Sequence, residues 1–359
     1  MGGGVTRDAP DIEDIAGRFQ VDGPVSATRP LPGGHINDTY RVDTSRARYL
    51  LQRLNPHVFP RPDLVMENVA LVSRLLTRRN ASYPALIPAR DGRDWVTDPA
   101  GATWRMFSLV EGVTTRERVR SPDDARGAGE AFGEFLHLLA GEAVPLHETL
   151  PGFHDTRARF ARLEAVVHDD HSGRAAVAGA EIDAMLAERG LADVLPPLIA
   201  SGAVPLRPVH NDAKIANVLF DDRTGAPRCV IDLDTVMAGS ALHDFGDLVR
   251  SSVSPTAEDE SDLSRIGARL DLFEALVRGY LERSGDVLTK DEHRLLEFAG
   301  RLITLEQALR FLTDHLDGDR YYKIARPDHN LVRCRSQLAL LRSLTEQRAA
   351  LERIVAAAA

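Results

Sequence analysis

Val209-His210-Asn211-Asp212-Ala213-Lys214-Ile215-Ala216-Asn217-Val218-Leu219-Phe220, followed by Cys229-Val230-Ile231-Asp232-Leu233-Asp234, is the stretch on which the reading of this chain turns. It reads as a loop running into a β-hairpin. Two short apolar runs, 217–220 and 229–232, flank the turn-rich Asp221-Asp222-Arg223-Thr224-Gly225-Ala226-Pro227. Antiparallel pairing about that turn is expected to set Asn217 opposite Asp232. Two oxygen-bearing side chains then meet at the open end of one hairpin.

Phosphoryl transfer needs a metal bridging the phosphates, a carboxylate orienting the attacking hydroxyl, and positive charge on the transferring group. The stretch offers a candidate for each. Asp212 would orient the hydroxyl and accept its proton, and Lys214 would lie by the phosphoryl. Asn217 and Asp232 would hold magnesium, which prefers hard oxygen ligands. Protein kinases place an Asp and an Asn at the same separation in an H-x-D-x-x-x-x-N loop. A lone HxD is weak evidence. HxDxKxxN with a downstream strand ending in Asp outweighs the bland reading, in which Asp212 and Asn217 merely cap turns.

Composition sharpens the case for Lys214. Of 44 basic residues only three are lysine (Lys214, Lys290 and Lys323), leaving 41 arginines. A chain that writes arginine wherever a cation suffices keeps lysine where a compact point charge is needed and a planar fork is not.

The remaining bulk properties bound the class. At 359 residues the chain is long enough for two domains at roughly 100–200 residues each. No apolar run approaches the roughly 18 residues of a spanning helix, and the start lacks a signal-peptide apolar core, so a cytoplasmic protein without a membrane partner is expected. A formal charge of -9 argues against nucleic-acid binding. Cys229 and Cys334 form no metal or disulfide pattern and read as buried free thiols.

Along the chain, a short helix is expected from Asp11, with Ile12, Ile15 and Phe19 on one face. Strands and turns follow over 24–55, then a helix over 63–79 and strand-like pieces near 86–89 and 103–110. Beyond Glu111-Gly112 helical patterns dominate, at about 121–141, 156–169, 179–190, 257–283, 291–315 and 329–354. Ser121-Pro122-Asp123-Asp124 is a strong helix start, and Glu258-Asp259-Glu260 reads as a solvated one. The expected organisation is α+β: an extension over 1–20, a small nucleotide-binding lobe over 21–110 and a large helical lobe over 111–359.

Downstream, Asp244-Phe245-Gly246 spells the kinase metal-binding tripeptide. Asp232 directly follows an apolar strand and fits the metal role better. For Asp244, bracing the catalytic loop and capping a helix both remain open.

With these residues quoted, the chain resembles the aminoglycoside phosphotransferase-like kinases, most of all those that phosphorylate N-acetylhexosamines at the anomeric oxygen. The resemblance runs through Gly33 to Thr39, Leu51 to Asn55, Pro151-Gly152-Phe153-His154-Asp155-Thr156, His210 to Asp247, Arg310 to Asp319 and Asp328 to Arg333. It implies a bilobal protein-kinase-like fold with a hinge near Leu109 to Gly112, ATP and Mg2+ as cofactors, and a sugar 1-phosphate as product. It further implies that Gly33 and Gly34 approach the ATP phosphates, and that Arg53, Glu67, Leu109 and Glu111 belong to the nucleotide site. His35, Asn37, Asp212, Arg310, Tyr321 and Lys323 would face the sugar. Two positions depart from the pattern. No lysine precedes Lys214, so Arg53 or Gln52 must replace the strand-three lysine, and Ser251 stands where an aromatic residue often lies near the sugar's substituent. Alternative acceptors are an aminoglycoside, an unmodified hexosamine, choline or homoserine. A ligand sensor without turnover is the alternative of another class, supported by the missing lysine. A protein kinase is disfavoured by the absence of a full GxGxxG and a VAIK-like lysine.

Overall fold

The computed structural model of the protein describes residues 11–31, 36–80, 82–141 and 144–358. The chain divides into one unit of Met1–Gly112 with Val144–Thr149, and another of Val113–Ala143 with Leu150–Ala359.

In the first unit Val25–Pro30 (β1), Asp38–Thr44 (β2), Arg48–Arg53 (β3), Val96–Thr97 (β4) and Thr103–Ser108 (β5) form an antiparallel sheet, ordered β1-β2-β3-β5-β4. Alternation along β3 buries Tyr49 and Leu51, which join Trp104 and Met106 of β5 in one core. Helix α1 (Ile12–Gly17) adds Ile15 and Ala16 to that core and is capped by the Asp11 carboxylate. Helix α2 (Pro62–Arg79) buries Val65, Val69, Val72 and Leu76 at helical spacing. The strand expected near 86–89 is reduced to two isolated bridges, Leu86 with Phe107 and Phe19 with Ala89. Pro84 and Pro88 deprive that segment of ladder donors.

The second unit holds short strands Val113–Thr114 (β6), Arg207–Val209 (β7), Val218–Asp221 (β8), Pro227–Val230 (β9) and Met237–Gly239 (β10). They pair as β6-β8-β9 and as β7 with β10. Its helices are Pro122–Leu139 (α3), Thr156–Asp169 (α4), Gly179–Ala187 (α5), Leu195–Ala200 (α6), Ala241–Ser252 (α7), Leu270–Ser284 (α8), Lys290–Arg294 (α9), Leu296–Leu316 (α10), His329–Glu346 (α11) and Arg348–Ala358 (α12). Ser121 caps α3 as expected, its hydroxyl accepting the Asp124 N–H at 3.2 Å. Glycines let α3 and α8 touch backbone to backbone. A Cβ on Gly129 would lie 2.3 Å from the Leu276 carbonyl, and one on Gly279 would lie 2.2 Å from that of Arg126. A second core joins Phe160 and Leu163 of α4, Leu309 and Leu312 of α10 and Leu341 of α11.

Further expectations need correction. The helix expected over 291–315 is interrupted at Leu295, between α9 and α10. The helix expected over 257–283 begins only at Leu270. The acidic stretch before it is a turn whose carboxylates each find a side-chain partner: Glu258 meets Arg250, Asp259 meets the His329 ring and Arg326, and Glu260 meets Arg265. The helix expected over 329–354 breaks at Gln347, which caps α11 and donates through its amide to the Ala268 carbonyl at 2.8 Å. In the hairpin Val218 opposes Val230, and Ile231 N–H bonds the Asn217 carbonyl at 2.9 Å, so Asn217 faces Ile231 rather than Asp232. The slip arises because Asn217 closes a 3-10 turn and Asp232 leaves the ladder with φ 65° and ψ 61°. Neither residue follows the strand pleat. Both cysteines are buried free thiols, as read.

Candidate active site

The loop that follows β7 is fixed by buried polar partners. His210 is fully buried, with its ring edge-on to Phe132 and Phe135. The Ile231 carbonyl lies 2.9 Å from its Nε2, and the Asp212 N–H points to its Nδ1 at 3.3 Å. A carbonyl only accepts and an N–H only donates, so His210 carries its proton on Nε2. The Asp244 carboxylate accepts the His210 N–H at 2.7 Å and the Asn211 N–H at 2.6 Å. The Thr235 hydroxyl donates to the His210 carbonyl at 2.7 Å, and the Asn211 amide returns a bond to the Thr235 carbonyl at 2.9 Å. Asn211 adopts φ 64°, the left-handed region that asparagine tolerates better than most residues.

Asp244 therefore braces the loop, and Ser240 caps α7 in its place. The other two letters of the tripeptide have structural causes as well. Phe245 is buried against Phe273 and Tyr280, and a Cβ on Gly246 would stand 2.4 Å from the Ala299 carbonyl of α10.

Asp212, Lys214 and Asn217 come together at the mouth of this loop. Lys214 Nζ lies 2.9 Å from Asp212 Oδ2. The Asn217 amide donates to the Asp212 carbonyl at 2.9 Å and to Oδ2 at 3.2 Å. Burial works against the charge on Asp212, but the Lys214 ammonium and the Asn217 amide outweigh it and hold the carboxyl at about 2. For Lys214, burial is likewise outweighed by Asp212, with Asp232 and Asp247 adding to the effect, and its pKa is raised. The Asn217 amide nitrogen is spent on Asp212, and its side-chain oxygen can only accept. That oxygen and the exposed Asp232 carboxylate suit a hard divalent cation.

Arg310 and Tyr321 are also neighbours. The Arg310 guanidinium lies 5.1 Å from the Phe153 ring centre, 5.8 Å from that of Tyr321 and 5.7 Å from that of Tyr322. It donates to a neutral group, the Gln307 side-chain oxygen, at 3.2 Å. Burial opposes its charge, while Tyr322, Tyr321, Glu306 and Asp212 hold the guanidinium above its usual range. The loop bearing both tyrosines hangs on Asp314, whose carboxylate accepts the backbone N–H groups of Arg320, Tyr321 and Tyr322 at 2.8–3.0 Å. Lys323 is exposed, and its carbonyl accepts from Arg333 at 3.3 Å.

In the first unit, Asn37 Oδ1 accepts the Asn55 N–H at 3.0 Å. Gln52 and Arg53 stand on opposite faces of β3, as adjacent strand residues must. Gln52 is engaged by Thr39 at 3.3 Å and Arg105 at 3.0 Å. Arg53 reaches Asp38 at 3.6 Å. Glu67 binds His147 at 2.7 Å. Glu111 pairs with Arg48 at 2.9 Å and the Leu109 N–H bonds the Arg48 carbonyl at 3.0 Å. Gly33, Gly34 and His35 lie outside the described residues. Arg105 was not anticipated. It is a buried cation inside a strand, and its one sequence signal is an arginine within the apolar run Trp104-Arg105-Met106-Phe107.

Comparisons with known proteins bear on the fold and the family. The chain is similar over 95% of its length to a microcompartment-associated aminopropanol kinase, at 18% identity and a TM-score of 0.58, with 97% of that chain covered. It is similar to an aminoglycoside phosphotransferase from Alicyclobacillus acidocaldarius at 14% identity and a TM-score of 0.61, covering 97% of this chain and 99% of that one. A choline/ethanolamine kinase family protein from Mesorhizobium loti matches at 18% identity and a TM-score of 0.54, over 93% and 92% of the two chains. At such identities the likeness shows the fold: the α+β kinase-like architecture of aminoglycoside phosphotransferases. Residues 27–295, well over half of the sequence, match the model of the phosphotransferase enzyme family, and the chain belongs to that family.

Proposed function

We propose that the protein is an ATP- and Mg2+-dependent small-molecule kinase that phosphorylates the anomeric hydroxyl of an N-acetylhexosamine or a related sugar, yielding the sugar 1-phosphate and ADP. The observation that carries the reading is the Asp212 carboxylate, held ionised 2.9 Å from Lys214 and bonded by Asn217. In this reading Asp212 accepts the proton of the C1 hydroxyl as that oxygen bonds to the γ-phosphorus, and the bond to the ADP oxygen breaks. Lys214 faces the transferring phosphoryl. Asn217 Oδ1 and Asp232 hold the magnesium, which neutralises charge on the phosphates when bound. Gly33, Gly34, Arg53, Glu67, Leu109 and Glu111 serve the nucleotide, and His35, Asn37, Arg310 and Tyr321 serve the sugar.

An uncharged acceptor is favoured over a polycation by the state of the nearby carboxylates. Asp314 is consumed by backbone N–H groups and by the Asn330 amide. Asp317 is paired with Arg162 and Arg320, and Asp319 with Arg174 and Asn330. Arg310 stands beside them as a cation with a neutral partner. A cage for ammonium groups needs the opposite balance.

The test is ADP release over a panel of N-acetylhexosamines, hexosamines, aminoglycosides and amino alcohols, with phosphorus NMR of the product. An anomeric phosphate supports the reading. A phosphate on another hydroxyl, or turnover confined to amino alcohols, overturns the acceptor. MgATP binding without ADP release on any acceptor overturns catalysis.

A further inference from the structure

The Pro151–Thr156 segment contains a buried pair that the mechanism above does not use. His154 and Glu306 expose only 7% and 2% of their side chains. His154 Nδ1 lies 2.9 Å from Glu306 Oε1, and its Nε2 lies 3.3 Å from the carbonyl oxygen of Asn211. Asn211 is the left-handed residue directly before Asp212. Its N–H is held by Asp244 and its side chain by Thr235, so the carbonyl is the remaining backbone handle on the peptide that carries Asp212.

We infer that His154 is a positioning residue for Asp212: it is held as a doubly protonated imidazolium by Glu306 and clamps the Asn211 carbonyl. The argument is one of donors and acceptors. A peptide carbonyl only accepts, and so does an ionised carboxylate. Glu306 also receives the Thr156 hydroxyl on Oε2 at 2.7 Å, which leaves Oε1 to accept from His154. Both ring nitrogens then need a hydrogen. Burial opposes ionisation of Glu306, but His154, Arg159 and Thr156 hold it at about 2. Of the other groups facing His154, Asp244 of α7 favours the positive ring and Arg159 of α4 opposes it. His243 of α7, with its ring centre 4.5 Å away, is pushed by burial and by His154 to about 3 and stays neutral. A charged donor bonds a carbonyl more strongly than a neutral one, and small displacements of a reacting carboxylate are costly to rate.

This inference rests on Asp212 being the catalytic carboxylate, and the test separates the two. Full-length protein is assayed with MgATP and N-acetylglucosamine, or by slow ADP release to water if that sugar is not phosphorylated, with Asp212→Asn as reference. His154→Gln and Glu306→Gln are each expected to lower kcat on the order of 10-fold with KM changed less than twofold. The double variant should be no slower than the slower single, because both act through one contact. In protein labelled with ¹⁵N-histidine, both His154 ring nitrogens should carry hydrogen under the assay conditions, and one should lose its proton in Glu306→Gln. His154→Asn replaces His154→Gln if the latter does not fold. A neutral His154 ring in the unaltered protein overturns the inference. So does a His154→Gln enzyme within twofold of wild type while Asp212→Asn is inactive. If Asp212→Asn retains full turnover, the assignment of Asp212 falls instead, and the spectrum still decides the state of His154.

Discussion

Lys214 Nζ and Asp212 Oδ2 stand 2.9 Å apart at the mouth of a loop whose other polar groups are buried and bonded. Each keeps its partner charged despite burial: the pKa of the acid is lowered and that of the base is raised. If Asp212 orients the acceptor hydroxyl, Asp212→Asn should lower turnover by roughly 10²- to 10⁴-fold while the fold persists. Steady-state kinetics beside a thermal melt checks this, and turnover within a factor of two of wild type removes the role.

Lysine is rare enough in this chain for its identity at 214 to be tested directly. Lys214→Arg should be nearly as damaging as Lys214→Ala, each losing on the order of 10²-fold in kcat, because a guanidinium fork does not replace a compact ammonium beside Asp212. Lys290→Arg, on the exposed face of α9, should be silent. A Lys214→Arg enzyme with wild-type turnover would show that any cation suffices.

Two aspartates compete for the metal in sequence, and only one is exposed. Asp232→Asn should raise the Mg2+ concentration needed for half-maximal rate. Asp244→Asn should lower kcat by loosening His210 and Asn211 and leave the Mg2+ requirement unchanged. Magnesium titration of the two variants distinguishes them; a shift confined to Asp244→Asn reverses the assignment.

Acid stability should report His243. Its folded pKa is depressed from 6.5 to about 3, so the unfolded chain binds a proton that the native chain refuses. The stability linked to this group is complete above about pH 6.5 and is lost as pH falls from there toward 3. Asp212, depressed from 3.8 to about 2, keeps its contribution until lower pH. Melting curves from pH 8 to pH 4 should therefore decline below pH 6.5 in wild type and less steeply in His243→Gln. Parallel curves would place the titration elsewhere.

The close crossing of α7 on α10 should be intolerant of a methyl group. Gly246→Ala drives a Cβ into the Ala299 carbonyl at 2.4 Å, and overpacking of this kind costs about 1–3 kcal/mol. A lowered Tm with kcat per folded molecule preserved is expected, since the residue lies in a helix interface and not at the reacting groups.

What the sequence determined by itself was whatever depends on local spacing and residue chemistry. Asp212, Lys214 and Asn217 lie within six residues, and so short a loop brings its polar groups together in almost any conformation. Serine, proline and two carboxylates at 121–124 fixed the start of α3 through backbone bonds available within one turn. Periodic apolar spacing gave α2 and α10, although it ran past Gln347 and Leu295, where helices end without a proline or glycine to mark them.

Tertiary structure decided what depends on residues far apart in the chain. Asp232 left the hairpin register because a left-handed residue interrupts the pleat, and nothing in Val230-Ile231-Asp232 announces that turn. Asp244 was assigned to bracing rather than capping only when α7 brought it to the N–H groups of His210 and Asn211, 34 and 33 residues away. The meeting of His154 with Glu306 spans 152 positions. Hydrogen bonds of that separation are set by how helices pack. A linear reading lists the donors and acceptors, and only the packed core determines which of them face each other.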